Sequence, residues 1–342
     1  MTPFTSILAA TDFSVDGNNA VRRAALLAHA QGARLHILHV LKAAGCRPLR
    51  EWFSPTIDID LKAAQARAAL RRVAVEISAV YDVAATVEVD VGDLFVALIK
   101  ASQRADLVVL GQRGRSRLEN LLIGRTADRM LRTGQRPVLV VKRAAEAPYR
   151  RLLMPVDFTA GSDAAMQFAA RWMRDARMHV FHAADTQQES MLRRADVAEG
   201  MIHEARAREE LGTITRMRRT AGGLGLNSRR MAFSVGRGAA ELATLQRAQE
   251  LGADLIVAGK RGQSTLGGFL LGSISRRVLS GCDCDMLIVP PPRAAAPQTP
   301  LAQAEAAPDD AASSRAGTAP APPMAFDNRT RNRPRFLPRR AS

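Results

Sequence analysis

Two stretches of this chain carry residues at spacings suited to holding an anion. The clearer one reads Gly259-Lys260-Arg261-Gly262, then nine residues, then Gly272-Ser273-Ile274-Ser275. Gly259 and Gly262 can adopt positive φ and let the backbone come close to a ligand. The amides of Gly272 and Ser273, if they open a helix, point at a phosphate and add the helix dipole. The hydroxyls of Ser273 and Ser275 would supply further donors, and Lys260 and Arg261 positive charge. The second stretch keeps Gly111-Gln112-Arg113-Gly114 and nine residues to Gly124, but continues Arg125-Thr126-Ala127. Arg125 replaces the serine and the hydroxyl moves one position along. A guanidinium there can pair with a phosphate bidentately, or it can fill the pocket. Glu119 inside this loop opposes an anion. Asp12 and Asp157 each end a short apolar run, where a carboxylate can accept from ribose hydroxyls or an adenine amine. There is no Gly-x4-Gly-Lys-(Ser/Thr) loop with its phosphate-binding lysine and Mg²⁺-binding hydroxyl. His39 and His182 are the only candidates for a general base, and histidines on a strand more commonly pack or hydrogen-bond within the core. We therefore assign no catalytic residue and no metal ligand.

The elements that must position these loops occur twice. Ser6–Ser14 returns as Arg151–Thr159, each an apolar run ending in Asp-Phe-(Ser/Thr); Ala33–Val40 returns as Ala176–Ala183, and Ala105–Gly114 as Ala253–Gly262. The offset stays within a few residues, at 145 between Asp12 and Asp157, 143 between Ala33 and Ala176, and 148 between Gly111 and Gly259. A near-constant offset over such landmarks marks a duplication. Within the first copy, continuous Val/Ile/Leu runs at 6–10, 34–40, 85–91, 106–110 and 137–141 read as strands buried on both faces. Ala/Leu/Arg stretches at 16–31, 57–80 and 93–104 read as helices, with Gly32 placed to end the first and Gly92 to follow the third strand. Alternation of this kind specifies βαβ units and a mainly parallel, doubly wound α/β sheet whose strand C-termini share one edge. We assign residues 1–144 to a first domain with the altered loop and 149–292 to a second with the intact loop. Residues 293–342 form a Pro/Ala/Arg-rich tail with little to bury, expected to be disordered.

The Gly-x-x-Gly-x9-Gly-Ser pattern after a parallel strand resembles the ATP-binding motif of the universal stress protein family. So do the Ala-Asp-Leu-Ile-Val-x-Gly segment before it and the closing Leu-Ile-Val-Pro strand. The likeness runs through both copies, as in tandem members of that family. It implies two Rossmann-like domains of the adenine nucleotide alpha hydrolase type and a stress-response role, with ATP or AMP as ligand and Mg²⁺ carried in by the phosphates. It places the second site on Pro155, Val156, Asp157, Ala183, Gly259, Arg261, Gly262, Gly272, Ser273 and Ser275. The weaker first site falls on Asp12, Val40, Gly111, Arg113, Gly114, Gly124, Arg125 and Thr126. The family's habit of pairing domains through the last strand implies that 137–141 and 285–290 meet within the chain, or that two chains form a homodimer.

Bulk properties narrow the alternatives. Of 342 residues, 47% are hydrophobic and only 4% aromatic, so the core must be aliphatic and a base-stacking surface is poorly supplied. The net charge of +16 favours polyanionic partners in general. Arg193–Arg230 mixes both signs densely, as a solvated, salt-bridged helix face does; binding of RNA or a protein partner is therefore an alternative that the sequence leaves unsupported. Cys46, Cys282 and Cys284 form neither a disulfide framework nor a zinc site, and Cys282-Asp283-Cys284 hints at redox chemistry only weakly. Met1-Thr2-Pro3-Phe4 begins no signal peptide and no long apolar run follows, which points to a cytoplasmic protein without a membrane partner. A sensor or modulator is the leading reading, with a weak ATPase as the other alternative.

Overall fold

The computed structural model describes residues 5–42, 59–113, 124–260 and 272–291. The first half runs β1 (Ser6–Ala10), α1 (Val15–Gln31), β2 (Arg34–Leu41), α2 (Ile59–Tyr81), β3 (Ala85–Val91), α3 (Leu94–Ser102), β4 (Leu107–Gly111), α4 (Arg125–Thr133) and β5 (Val138–Val141). The second half follows with β6 (Arg151–Pro155), α5 (Ala160–Trp172), β7 (Arg177–Ala184), α6 (Gln187–Arg194), α7 (Glu199–Gly223) and β8 (Met231–Arg237). It closes with α8 (Ala240–Leu251), β9 (Leu255–Gly259), α9 (Ser273–Gly281) and β10 (Asp285–Val289). The expected strands are all present, within one residue at each end. No helix among the described residues is long and apolar enough to cross a membrane.

The strands form a single sheet ordered β3-β2-β1-β4-β5-β10-β9-β6-β7-β8. Every neighbouring pair is parallel except β5 with β10. Each half is thus a doubly wound parallel sheet, and the two halves meet head to head through their last strands. Val138–Val140 pair with Ile288–Met286, and all six side chains are at most 2% exposed. Burying one such aliphatic side chain contributes about 1.5–3 kcal/mol, so this seam is as much core as any other part of the sheet. The apolar layer on one face runs unbroken across it, from Leu139 and Val141 to Leu287 and Val289.

Local chemistry explains the repeated Asp-Phe-(Ser/Thr) element. The Asp accepts from the backbone two residues on, Ser14 N to Asp12 Oδ1 at 3.0 Å and Thr159 N to Asp157 Oδ1 at 3.2 Å. The Ser or Thr caps the following helix, Ser14 accepting from Gly17 N at 3.1 Å and Thr159 from Ser162 N at 3.4 Å. Between them Phe13 and Phe158 sit in the left-handed region at φ 63° and 59°, a strained conformation for a bulky residue. Each ring is held against the histidine that lies near the end of the second strand of its half, Phe13 on His39 at 4.5 Å and Phe158 on His182 at 4.9 Å between centroids.

Polar contacts fasten the halves together. Asp285, fully buried, accepts from the amides of Lys142 (2.8 Å) and Arg143 (3.1 Å) and from the Tyr149 hydroxyl (2.5 Å). Arg23 Nε lies 3.4 Å from the same carboxylate as an ion pair, while its Nη1 donates to Ala147 O at 2.6 Å and its guanidinium covers the Tyr149 ring at 4.2 Å. Burial, with the Asp285 charge beside it, raises the Tyr149 phenol well above its ordinary pKa. Lys142 Nζ crosses to the C-terminus of α9, donating to Leu279 O (2.6 Å) and Cys282 O (2.5 Å). Arg276 of α9 pairs with Asp128 of α4 at 2.9 Å. These last two occupy the same position in the two copies, at the offset of 148 that relates Gly124 to Gly272.

Candidate functional site

In each half the chain order reverses between the first and fourth strands, and that switch point is where a doubly wound sheet opens a crevice at its strand C-termini. In the second half the reversal lies between β6 and β9, with Leu153 opposite Ile256. Asp157 and Gly259 therefore emerge side by side. The crevice is bounded by Pro155, Val156 and Asp157 after β6 and by Gly259 ending β9; α9, which leads from β9 to the parallel β10, begins at the same edge of the sheet. Ala183 lies on the neighbouring strand β7. The first half repeats this with Asp12, Gly111 and α4, and with Val40 on β2.

The helices that begin at this edge differ in how they are capped. Ser14 and Thr159 cap α1 and α5, whereas α4 and α9 have Gly124 and Gly272 as N-caps and no side-chain capping bond. A helix leaves its first amides without intrahelical acceptors, and here neither glycine offers a side chain to satisfy them. Ser273 is exposed and Ser275 half-buried in the first turn of α9; Arg125, exposed, and Thr126, half-buried, occupy the first turn of α4. Arg113 is exposed beyond β4. Arg261, Gly262, Gly114 and Glu119 lie outside the described residues.

Two expectations for the glycine loop need correction. Neither Gly259 nor Gly111 adopts positive φ. What requires glycine is close packing: a Cβ on Gly259 would overlap the backbone of Gly161 and Ser162, and one on Gly111 would lie 2.6 Å from Asp16 O. Gly161 answers from the other side, its Cβ position lying 2.5 Å from Lys260 O. The strand end and the helix N-terminus thus touch backbone to backbone, which brings Gly259 and Lys260 against the start of α5.

Lys260, in turn, does not direct its charge at the crevice. Its side chain, 1% exposed, crosses to the first half and donates to Arg132 O (2.6 Å) and Gly134 O (3.1 Å) at the end of α4. Burial lowers its amine to a pKa of about 8. Replacing Lys260 by Met should destabilise the protein by about 2–4 kcal/mol, because a buried carbonyl at Gly134 and a part-buried one at Arg132 lose their donor. Since the folded amine sheds its proton near pH 8 and the unfolded one near 10.5, the wild-type advantage in denaturant titrations should widen from pH 7 to pH 10. An advantage that narrows over that range would contradict this account.

The histidines are also spoken for. His39 Nδ1 lies 2.8 Å from Thr11 O and His182 Nδ1 2.8 Å from Val156 O. A carbonyl only accepts, so Nδ1 carries the proton in both. These bonds tie the second strand of each half to the end of its first and give both rings a structural task. Arg216 of α7 covers the other part of the Phe158 stack at 3.9 Å. Among the described residues no three His, Cys, Asp or Glu side chains gather as a metal site.

A family model, described as the universal stress protein family, matches residues 3–142 and again 148–290. The chain belongs to the universal stress protein family. It does so twice over, as a tandem of two such domains. A curated relative, universal stress protein A homolog 2 of Coxiella burnetii, is 28% identical over 149 residues, covering 41% of this chain and 94% of its own. Among solved structures, a universal stress protein from Archaeoglobus fulgidus superposes with a TM-score of 0.62 at 21% identity, over 84% of this chain and 98% of its own. A functionally unknown protein from Pseudomonas aeruginosa gives 0.55 at 22% identity, over 84% and 93%. These likenesses bear on the fold.

Within this tandem universal stress protein the two crevices differ in a way the sequence reading missed. In the first, Thr11 Oγ1 hydrogen-bonds Asn18 Oδ1 at 3.0 Å. At the matching positions of the second stand Val156 and Asp163, and Asp163 Oδ1 is buried with no hydrogen-bond partner. Burial raises the Asp163 pKa, with the Asp157 charge adding to it. Asp163→Asn should therefore stabilise the protein at neutral pH by up to about 1 kcal/mol, the modest scale of a partly exposed charge. A raised carboxylate favours the folded state only where it is protonated, so the difference should vanish as pH falls toward about 4. Thermal unfolding of both proteins at pH 4 and pH 7 checks the sign. The signal was present in the sequence as a paired exchange, Thr/Asn for Val/Asp, at the offset of 145.

Proposed function

We propose that this chain is a stress-response protein that binds an adenine nucleotide, ATP or AMP, mainly in its second domain, and acts as a sensor or modulator. One observation carries the reading. The first turn of α9, whose N-cap Gly272 offers no side-chain cap and which carries the Ser273 and Ser275 hydroxyls, opens at the same strand C-terminal edge of the sheet at which Asp157 follows β6. Backbone donors and a helix dipole at that place suit phosphates, and Asp157 keeps an oxygen for a ribose after Oδ1 has closed its turn. Asp157 and Asp163 together make the β6 side of the crevice acidic, which favours sugar hydroxyls there and phosphates toward α9. Mg²⁺ would enter on the phosphates, coordinated mainly by their oxygens. In the first domain Arg125 takes the serine's place, so a weaker or absent site is the corresponding reading for that half.

The test is to denature freshly purified protein, identify released nucleotides by mass, and titrate the stripped protein with ATP and AMP. Wild type should bind one equivalent in the second domain, and the Ser273→Ala/Ser275→Ala double variant about tenfold more weakly, as expected for two lost hydrogen-bond donors. Absence of any adenine nucleotide, with no saturable binding at millimolar concentration, would overturn the reading. Phosphate released during the titration would reveal slow hydrolysis.

A further inference from the structure

Helix α7 is charged unevenly along its length. Its acidic residues, Glu199, Glu204, Glu209 and Glu210, all precede Leu211, and from Leu211 to Arg230 there are arginines and no carboxylate. Toward the N-terminus the arginines are paired, Arg206 with Glu189 and Arg208 with Glu204 at 3.4 Å. Farther along, Arg216 and Arg219 have no carboxylate partner among the described residues. Arg216 lies instead over the Phe158 ring, 3.9 Å from its centroid. The expectation of a salt-bridged face therefore holds for the first part of the helix and fails for the second. A surface cleft of about 560 Å³ opens there, lined by Arg208, Leu211, Gly212, Thr215, Arg216 and Arg219. These positions are spaced by three and one in turn and so share one face of the helix, while Ile202, Met217 and Ala221 are buried on another.

We propose that this cleft binds a small organic phosphate, a phosphomonoester on an apolar body, at a place separate from the nucleotide crevice of the second half. Three guanidiniums and the Thr215 hydroxyl line it, and no acidic residue does. Stacking on Phe158 occupies one face of the Arg216 guanidinium and leaves its in-plane N–H donors for an anion. That planar fork matches a phosphate bidentately. Leu211, 65% exposed, and Gly212 give the same cleft an apolar part, which an inorganic ion would leave uncovered. The volume falls within the roughly 300–1,000 Å³ of small-molecule sites, which suits a compact ligand.

Helix electrostatics alone do not account for the arrangement. The dipole favours cations toward a C-terminus, which explains the sign of the charges but not the gap between them. Gly212 makes that gap. A Cβ there would meet nothing within 4 Å, so packing does not require this glycine as it requires Gly259 and Gly161, and glycine inside a helix is otherwise unfavourable. The first half lacks the same features. With buried Leu70 aligned on buried Met217, α2 carries Gln65 in place of Gly212 and Ala69 in place of Arg216. The cleft also differs in place from the phosphate end of the crevice. Met217 of α7 belongs to the apolar layer on one face of the sheet, and Val278 and Leu279 of α9 to the layer on the other.

The test is a calorimetric titration of the full chain with phenyl phosphate, inorganic phosphate and benzoate. Phenyl phosphate should bind saturably at one equivalent, and the other two probes about tenfold more weakly, one lacking the apolar body and the other the second charge. Gly212→Leu, which fills the cleft from a position where the fold has room, should weaken phenyl phosphate at least tenfold without lowering the thermal midpoint. Arg216→Met should lose about tenfold, and Arg216→Lys less, since the charge remains but not the fork. The arginines stay protonated at every pH used. Affinity should therefore rise severalfold from pH 5 to pH 7.5, as the ligand sheds its second proton near pH 6. Ser273→Ala/Ser275→Ala should bind phenyl phosphate as wild type does, and Gly212→Leu should leave the ATP titration unchanged, so this result stands apart from the nucleotide reading. Binding that survives Gly212→Leu, or that is lost with the two serines, places the anion elsewhere and overturns the proposal. So does equal affinity for inorganic phosphate. Capture of RNA with no saturable uptake of phenyl phosphate at millimolar concentration would also overturn it, assigning these arginines to a polyanion.

Discussion

Replacing Asp285 by Ala is expected to destabilise the fold by about 3–5 kcal/mol, the cost typical of removing one partner from a buried charge pair. The side chains of Arg23 and Asp285 are 6% and 1% exposed. Without the carboxylate, a buried guanidinium retains only Ala147 O and the face of Tyr149, and the amides of Lys142 and Arg143 lose their acceptor. Asp285→Asn should fall between Ala and wild type, since the amide oxygen can still accept from a backbone N–H while the ion pair is lost. Tyr149→Phe should cost about 1 kcal/mol by comparison. Urea titrations of the three variants give the ranking. If Asn proves as damaging as Ala, the backbone amides are not the part of the cluster that matters.

The second large effect lies at Gly259. An alanine methyl there would overlap the Gly161 carbonyl group and the Ser162 nitrogen, all main-chain atoms of a helix start that cannot swing aside as a side-chain tip can. A loss of about 3 kcal/mol or more is expected, at the upper end of what overpacking costs. Gly161→Ala should behave alike, its methyl meeting Lys260 O at 2.5 Å. Gly212→Ala supplies the contrast. It lies within α7 with nothing near its Cβ position, so it should be neutral or stabilising by up to about 1 kcal/mol. Thermal unfolding of these three variants separates packing from propensity. The result bears on function as well, because nucleotide lost from a Gly259 variant would report a displaced β9–α5 contact before it reported a missing ligand contact.

The fold was legible because it was written twice in continuous apolar runs. Strands buried on both faces need such runs, and Gly32, placed by the sequence to end the first helix, does end α1, at φ 62°. The seam came only with the family resemblance, which left pairing within the chain and pairing between two chains both open; β5 and β10 pair within the chain. The site was legible at its glycines but not in their purpose. Positive φ and close approach both demand glycine, and only geometry distinguishes them. Lys260 was misread for a related reason. A lysine after a strand advertises charge, while its destination, the end of α4, lies 128 residues earlier in the chain. Arg23 and Asp285 are farther apart still, and no period or motif links them. Asp163 was missed because an unpartnered carboxylate is defined by what its neighbour lacks, here the hydroxyl that Thr11 has and Val156 does not.

The antiparallel seam has a consequence for inheritance. Two identical domains paired through their last strands would place the residue at each axial position opposite its own copy. Asp128 would face Asp128, and Arg276 would face Arg276, like charges repelling in both cases. In this chain Asp128 faces Arg276. Opposite signs at equivalent positions become useful only once both copies are joined in one polypeptide, where each always meets the other at high effective concentration. After that, a change in either copy was no longer made twice over, and the halves could drift apart in the first turns of their helices, in Arg125 against Ser273 and in Asn18 against Asp163. At this position, neither half any longer presents a residue that suits a twin of itself.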